Sequence, residues 1–305
     1  MHYLGLTFTL RRPMGFRDAL GNRFVVTVEL NPPKGTNLER ALARLEPLRG
    51  KVDAVNLTDS YLAKVRLSSI ATAHLIQERL QMDTIFNLTC RDRNIIGLQS
   101  DLLGAWALGL ENVLVITGDP PEAGDHPFAK RVFELNSLGL VWLIKRLNEG
   151  YDASGATLDG PTSFCIGVAT SPAAQDREAE VQRLREKVEA GATFALTQPV
   201  YDKGVILSFL DRIQNLPVHL IMGVLPLKSY AFARHLMDHV PGIIIPEEGL
   251  ARMAGAGEGR EREEGLMITL DLLKGVLPVL KGVHIMPTGD FKVALEIVDQ
   301  IGSRS

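Results

Sequence analysis

The feature that most constrains the fold is an eightfold alternation of short, β-branched apolar runs with longer amphipathic stretches. The apolar runs predict strands over 24–30, 52–58, 83–89, 112–117, 163–168, 193–197, 217–223 and 282–286. The stretches between them predict helices over 37–49, 65–81, 93–108, 136–149, 175–190, 203–214, 228–239 and 290–301, with a further helix near 260–275. A strand followed by a helix, repeated in this way, is typical of a parallel sheet.

Chain length favours one of two arrangements of such a sheet. The chain has 305 residues, and no composition break marks a linker. A closed (β/α)8 TIM barrel needs about 250 residues. The sequence therefore predicts an α/β fold with a single barrel domain over 1–305, residues 1–22 being an N-terminal extension and the extra helix preceding the last strand. A doubly wound open sheet is the alternative.

Composition argues against several classes of partner. The net charge is −3, so no basic excess points to nucleic acid or an anionic membrane surface. No apolar run approaches the roughly 20 residues of a membrane span, and the N-terminal arginines follow the apolar patch, unlike those of a signal peptide. Cys90 and Cys165 are the only cysteines. Disulfides are not expected, and a cytoplasmic location is predicted.

Polar and ionisable side chains stand where the predicted strands end. Glu29 closes the first strand just before a Pro-Pro pair, Asp119 follows the fourth strand and Gln198 follows the sixth. In a barrel, the loops after the strands form one rim, and active sites lie there. A charge at the end of an apolar strand is costly unless it is paired or used. The sequence therefore predicts a site at this rim, although each residue taken singly could be a solvated loop residue.

Three other features receive plainer interpretations. His235 and His239 have i, i+4 spacing on one helix, but no further ligand types accompany them, so no metal site is predicted. Cys90 is interpreted as a small buried residue, with a reactive thiol as the alternative. The loop at 254–264 is rich in glycine and charge but lacks the spacing of a dinucleotide-binding loop, so a surface connection is predicted.

Five segments, in order along the chain, resemble the methylenetetrahydrofolate reductase family. They are TVELNPPKG, NLTCRDRN, VLVITGDPP, KVEAGATFALTQPVYD and IMGVLPLKSY. The resemblance extends from about residue 22 to residue 300. The variants found here are most similar to the reductase half of bacterial proteins that fuse it to a homocysteine methyltransferase, and this chain contains no methyltransferase half.

The resemblance implies a barrel that binds FAD at its C-terminal rim. In the family, NAD(P)H reduces the flavin and leaves, and the flavin then passes a hydride to 5,10-methylenetetrahydrofolate, giving 5-methyltetrahydrofolate. Glu29 matches the family's acid. The imidazolidine ring of the folate must open to an iminium ion before a hydride can add, and opening needs a proton on the departing nitrogen. A carboxylic acid in a partly dry cleft can supply that proton.

Further roles follow from the same match, position by position. Asp119 matches an aspartate near the flavin and the pterin. Gln198 matches the glutamine that contacts folate, and Tyr230 matches an aromatic residue that packs against substrate or nicotinamide.

The cofactor-binding residues come from the match in the same way. Lys187 matches a lysine that reaches the FAD phosphates, for which a point charge is suited. Glu180 matches an acid that binds the ribose of the cofactor. The residues expected to line the rim of the flavin are Thr58, Thr117 and Gly118.

Four positions depart from the family pattern. Asn87 stands where the family usually has His, and Thr117 where it often has Arg. Thr170 aligns with a tyrosine, and Asn136 with another aromatic flavin contact. Each change removes a flat or cationic group, so FAD binding is expected to be weaker than the family norm, or absent.

Two rival functions stay open from the sequence. In one, nicotinamide gives its hydride directly to the folate without a flavin. In the other, the chain is a partner-dependent or non-catalytic barrel subunit. The ligands expected for the chain are folate and nicotinamide, and a homo-oligomer is expected, with a partner subunit as a further option.

Overall fold

Eight parallel strands close into a barrel in chain order, and β1 pairs with both β2 and β8. The computed structural model describes residues 15–240, 242–257 and 259–302. The closed order confirms the predicted (β/α)8 barrel and contradicts the open-sheet alternative. The strands are β1 Val25–Leu30, β2 Ala54–Leu57, β3 Thr84–Thr89, β4 Asn112–Ile116, β5 Cys165–Thr170, β6 Phe194–Thr197, β7 His219–Val224 and β8 Gly282–Ile285.

The helices surround the barrel, and each predicted helix is present with shifted ends. They are α1 Phe16–Ala19, α2 Glu39–Leu45, α3 Ser69–Leu80, α4 Ile95–Ala107, α5 Ser137–Asn148, α6 Arg177–Ala190, α7 Lys203–Ile213, α8 Tyr230–His239, α9 Glu247–Gly255, α10 Glu261–Val276 and α11 Phe291–Gly302. The sequence did not predict α1 and α9. The predicted connection at 254–264 is shorter than expected, because α9 ends at Gly255 and α10 begins at Glu261.

Side-chain caps fix where many helices begin. A Ser, Asn or Asp just before the first turn accepts a hydrogen bond from a backbone N–H that has no partner inside the helix. The capping residues are Ser68, Asn94, Asn136, Asp176, Asp202 and Ser229.

Two cores result from the alternation of side chains along each strand. In β1, Val26, Val28 and Leu30 face outward and belong to the large core under the helices. Val25 faces the barrel interior and belongs to a second, smaller core. Thr27 and Glu29 share the parity of Val25, so they point into the barrel as well.

The lower half of the barrel interior is closed by aromatic packing. Phe194 on β6 fills the centre, and Gly167 on β5 makes room for it, since a Cβ at Gly167 would lie 2.1 Å from the Phe194 ring. Phe16 of α1 packs edge-on against Phe194, with 5.3 Å between ring centroids. Part of the predicted 1–22 extension therefore belongs to the barrel, while residues 1–14 lie outside the described residues.

Across the described ranges, none of the helices combines the length and the apolar character that a bilayer crossing requires.

His219 ties the start of β7 to two other segments at the base of the barrel. Its Nδ1 accepts a hydrogen bond from the Gly21 N–H at 2.9 Å, and its Nε2 donates to the Lys281 carbonyl at 3.0 Å. The first bond requires a neutral ring, because a protonated Nδ1 cannot accept a hydrogen bond. Burial, the largest cause, lowers the pKa of His219.

We expect stability to fall with acidification because of this residue. The folded pKa lies below the unfolded value of about 6.5, so the unfolded state binds more protons as pH falls through that value. The stabilisation is present above about pH 7 and is lost below it, by at most about 1.4 kcal/mol per pH unit for one proton. Urea titrations from about pH 7.5 to about pH 5.5 should show a shallower decline for His219→Gln than for wild type. The exposed His235→Gln is the control, and an unchanged slope in His219→Gln would contradict the assignment.

Candidate active site

A cavity of about 190 Å³ opens at the carboxyl ends of the strands. This is the rim at which the sequence predicted a site. The polar residues there come from the ends of several strands and the loops that follow them, and the floor is apolar. The sequence-predicted residues that line the cavity are Glu29, Thr58, Asn87, Gly118, Asp119 and Gln198.

A larger cleft, of about 800 Å³, lies at the opposite end of the barrel. Its charged side chains are paired with one another or with neighbours: Arg23 with Asp53, and Lys51 with Asp299 at 2.6 Å. In TIM barrels, chemistry takes place at the carboxyl ends of the strands. The smaller cavity is therefore the candidate active site.

Glu29 lies beside a buried histidine that the sequence analysis missed. The Glu29 side chain is 17% exposed, and its Oε2 lies 3.9 Å from Nε2 of His284, which is 1% exposed. The other ring nitrogen of His284 is 2.8 Å from the Thr27 hydroxyl. When that hydroxyl donates to Nδ1, the ring proton is on Nε2 and faces the carboxylate. A single histidine in the segment GVHIM carries no functional signal in the sequence, because His284 lies beside Glu29 only when β1 and β8 are neighbours in the barrel.

Two asparagine side chains in the cavity wall have an oxygen without a partner. Asn56 on β2 and Asn87 on β3 are 1% and 4% exposed. Neither Oδ1 atom accepts a hydrogen bond from the described residues. A buried acceptor left unpaired is costly. These two oxygens are placed to accept N–H groups from a ligand in the cavity.

Family membership follows from comparison with known proteins. A family model described as methylenetetrahydrofolate reductase matches residues 16–302. The chain belongs to the methylenetetrahydrofolate reductase family. The match begins at Phe16, so it includes the helix that packs into the base of the barrel.

Curated relatives agree with this family. The chain is 26% identical over 273 residues to 5,10-methylenetetrahydrofolate reductase of Escherichia coli, covering 85% of this chain and 86% of the relative. It is 26% identical over 288 residues to methylenetetrahydrofolate reductase 2 of Schizosaccharomyces pombe, covering 87% of this chain but 42% of that relative. The chain thus spans most of the bacterial relative and less than half of the yeast one.

Solved structures of other proteins share the fold alone. EDTA monooxygenase from Chelativorans superimposes with a TM-score of 0.54 and 12% identity, over 92% of each chain. Oxaloacetate acetylhydrolase gives a TM-score of 0.52 and 11% identity, covering 93% of this chain and 83% of that chain.

The two exposed family residues at the rim are available to a ligand. Asp119 and Gln198 are exposed, and no side-chain hydrogen bond or ion pair with the described residues occupies either one. The backbone N–H of Gln198 donates to the Thr170 carbonyl at 2.8 Å, which fixes where its side chain begins. Asp59, by contrast, is fully used: it accepts from the Thr89 N–H at 3.0 Å and pairs with Arg93 at 2.7 Å.

Three residues matched to cofactor binding lie outside the cavity, bound to their own chain. Oε1 of Glu180 accepts from the Thr170 hydroxyl at 2.7 Å and from the Ser171 N–H at 2.8 Å, and Oε2 pairs with Arg183 at 2.7 Å. Nζ of Lys187 donates to the Ala169 carbonyl at 3.0 Å, and burial lowers the pKa of this lysine. These contacts hold α6 against the end of β5.

Three other matched residues also lie outside the cavity. The Asn136 side chain caps α5 by accepting from the Gly139 N–H at 2.9 Å, and the Thr117 hydroxyl accepts from the Ser137 N–H at 3.2 Å. Tyr230 begins α8 and is 40% exposed. The structure therefore brings six of the twelve matched residues to the cavity wall and leaves six away from it.

The cavity wall fits one flat ring better than it fits a complete FAD. The orphan oxygens of Asn56 and Asn87 suit the N–H groups that a flavin, a pterin and a nicotinamide carboxamide all carry. Gly118, at φ +94°, lets the backbone pass closely over Thr89. Glu180 and Lys187 are the residues matched to the ribose and phosphates. Each already makes hydrogen bonds within the chain and would need a further contact to hold a cofactor.

The weaker sequence candidates have structural explanations. His235 and His239 stack with 4.4 Å between ring centroids, and the described residues contain no group of three or more potential ligands arranged for a metal ion. Cys90 is fully buried. Burial raises the pKa of its thiol to about 11, which disfavours the reactive thiolate.

Removing the Thr27 hydroxyl should destabilise the protein measurably. Thr27→Val preserves the shape but leaves Nδ1 of the buried His284 without its partner, at an expected cost of about 1–3 kcal/mol. Urea unfolding would measure this loss. Thr157→Val is the control, because that exposed side chain has no hydrogen bond to the described residues and should change stability by less than about 0.5 kcal/mol. Equal effects of the two changes would mean that Thr27 does not hold the imidazole.

Proposed function

We propose that this chain reduces 5,10-methylenetetrahydrofolate to 5-methyltetrahydrofolate with electrons from NAD(P)H, and that Glu29 is the general acid. The observation that carries the proposal is the placement of Glu29. Its carboxyl group lines the cavity, mostly shielded from water and next to the buried His284. Family membership supplies the reaction, and this geometry supports the residue that protonates the substrate.

Glu29 acts before the carbon is reduced. It gives its proton to the departing nitrogen of the imidazolidine ring, one carbon–nitrogen bond breaks, and the methylene carbon becomes part of an iminium ion. A hydride then adds to that carbon, which becomes the methyl group. Thr27 and His284 hold their side of the cavity rigid, so that the carboxyl group meets the nitrogen in one orientation.

Asp119 and Gln198 are proposed to orient the folate. Gln198 offers both a donor and an acceptor to the edge of the pterin. Asp119 can accept a hydrogen bond from the amino group of the pterin, and its negative charge favours a developing cation. Both residues lie in the cavity wall with Glu29.

FAD remains a proposed cofactor, bound more weakly than is usual in the family. Thr58, Asn87 and Gly118 would contact its ring, and Glu180 and Lys187 would hold its ribose and phosphates. When bound, FAD would carry the hydride from nicotinamide to the folate. The internal contacts of Glu180, Lys187, Thr117 and Asn136 support weak binding, because each group must share or give up a bond. Direct transfer from nicotinamide is the alternative.

Glu29→Gln should nearly abolish folate reduction, because an amide cannot donate the required proton. A loss of roughly 10²–10⁴-fold in kcat is expected. Oxidation of NAD(P)H by an artificial acceptor should persist if flavin is bound, since that half-reaction needs no acid. Glu39→Gln, on an exposed face of α2, is the matched control and should keep wild-type turnover. Wild-type folate reduction by Glu29→Gln would remove Glu29 from this role.

The visible spectrum of the purified protein tests the cofactor proposal. We expect substoichiometric flavin absorbance that rises when FAD is added. Asn87→His should tighten FAD binding, measured by quenching of flavin fluorescence, because a neutral imidazole keeps one acceptor nitrogen for the ring and adds an aromatic contact worth about 0.5–1.5 kcal/mol, or roughly 2- to 12-fold in affinity. Asn22→His, on an exposed turn, is the control. Retention of stoichiometric FAD through dialysis would refute weak binding. Folate reduction by flavin-free protein would favour direct transfer.

Other properties of the chain stay predictions. A turnover assay on the isolated protein separates an independent enzyme from a partner-dependent subunit. A cytoplasmic location and a homo-oligomer are proposed from the sequence, and size-exclusion chromatography with light scattering would measure the oligomeric state.

A further inference from the structure

Tyr61 is the one Phe, Tyr or Trp residue among the described residues that line the cavity. It lies in the loop after β2 and is 49% exposed. The other apolar parts of the wall are aliphatic, from residues such as Leu114, Leu196 and Leu225. A half-exposed aromatic ring at the mouth of a cavity offers a flat apolar face to a ligand that enters.

The backbone around Tyr61 is strained. Ser60, Leu62 and Ala63 have φ angles of 46°, 54° and 53°. Residues with a side chain rarely adopt this left-handed region, and each such residue costs roughly 1–3 kcal/mol unless its surroundings impose it. Three such residues flank Tyr61, so the loop adopts a backbone conformation that its own residue types do not favour.

Contacts from other loops hold this turn in place. The Asp125 carboxylate accepts from the Val65 N–H at 3.0 Å and pairs with Lys34 at 3.1 Å. Gly124 lies so close that a Cβ there would be 1.9 Å from the Ala63 carbonyl oxygen. On the other side, the buried Arg91 donates to the Ser60 carbonyl at 3.3 Å. The loops after β1, β3 and β4 therefore all fix the turn that carries Tyr61.

The hydroxyl of Tyr61 lies within electrostatic reach of both proposed functional carboxylates. Partial burial at the cavity wall raises the pKa of Tyr61, and the negative charges of Glu29 and Asp119 raise it further. The phenol therefore stays protonated at neutral pH. Within the described residues its hydroxyl has no hydrogen-bond partner, which leaves it available to a ligand.

We propose that Tyr61 is a substrate-binding residue that packs its ring against the flat heteroaromatic ring of the ligand in this cavity. The inference rests on the proposed function and deepens it. It gives Tyr61 the aromatic role that family resemblance assigned to Tyr230, which lies outside the cavity wall. Pterin and nicotinamide share the required flat-ring chemistry, and separate measurements distinguish them.

Equilibrium binding is the primary test, because it needs no turnover. The dissociation constants of 5-methyltetrahydrofolate, by calorimetry, and of NADH, by fluorescence, should be measured for Tyr61→Ala and Tyr61→Phe. Loss of the ring should weaken at least one ligand about tenfold, and Tyr61→Phe should stay within about threefold of wild type. Leu62→Ala is the matched control on the same turn. It should bind both ligands normally, and thermal melts should show all three variants folded.

Each outcome separates this inference from the reaction itself. If Tyr61→Ala weakens binding of the folate alone, the tyrosine ring packs against the pterin. If it weakens binding of NADH alone, the ring packs against the nicotinamide, and if it weakens both, the two ligands share one ring site. Normal binding of both ligands by Tyr61→Ala would overturn the proposal, as would equal losses in Tyr61→Ala and Tyr61→Phe. Failure of wild type to reduce folate would count against the proposed function, while the binding comparison would still decide the role of Tyr61.

Discussion

The pairing of β1 with β8 is the constraint on which the proposed site depends. These strands come from opposite ends of the chain, and their pairing closes the barrel and places Thr27 opposite His284 in the register. That register sets the imidazole between the Thr27 hydroxyl and the Glu29 carboxylate. A shift of one residue would turn Glu29 toward the helices, where a carboxylate would face an apolar core.

The barrel interior divides into an apolar base and a polar top. Phe16 and Phe194 fill the base and are fully buried, which leaves the strands little room to move inward there. Above them, the inward positions carry Glu29, Asn56 and Asn87, and the packing does not satisfy all of their polar atoms. A rigid base supporting unsatisfied polar groups is the arrangement expected of a preorganised site. Folding has already removed these groups from water and fixed their orientation before the ligand binds.

Charged residues near the rim fall into two groups that look alike in the sequence. The carboxylates of Asp59, Asp125 and Glu180 already accept hydrogen bonds from backbone N–H groups and neighbouring side chains. Among the described residues, Asp119 has no ion pair or side-chain hydrogen bond, and the only ion-pair contact of Glu29 is the long one to His284. The first group determines the shape of the loops, and the second is available for chemistry. Tyr61 is linked to both groups. Asp125 of the first group helps to hold the turn that carries its ring, and the ring lines the same cavity as Glu29 and Asp119 of the second group.

The sequence by itself determined the eight strands, their order and the rim on which polar side chains gather, because periodicity and strand-end residues are local signals. It also predicted that Glu29, Asp119 and Gln198 share this rim, and in the structure all three line one cavity. It did not reveal α1, whose four residues are too few to show a helical period, nor His284, which acquires meaning only beside Thr27 and Glu29. Asn136 and Glu180 were matched to a cofactor, yet the structure uses one as a helix cap and the other as a brace for β5. Tertiary structure alone decided these points, because whether a polar group is free or already bonded depends on neighbours that are distant along the chain.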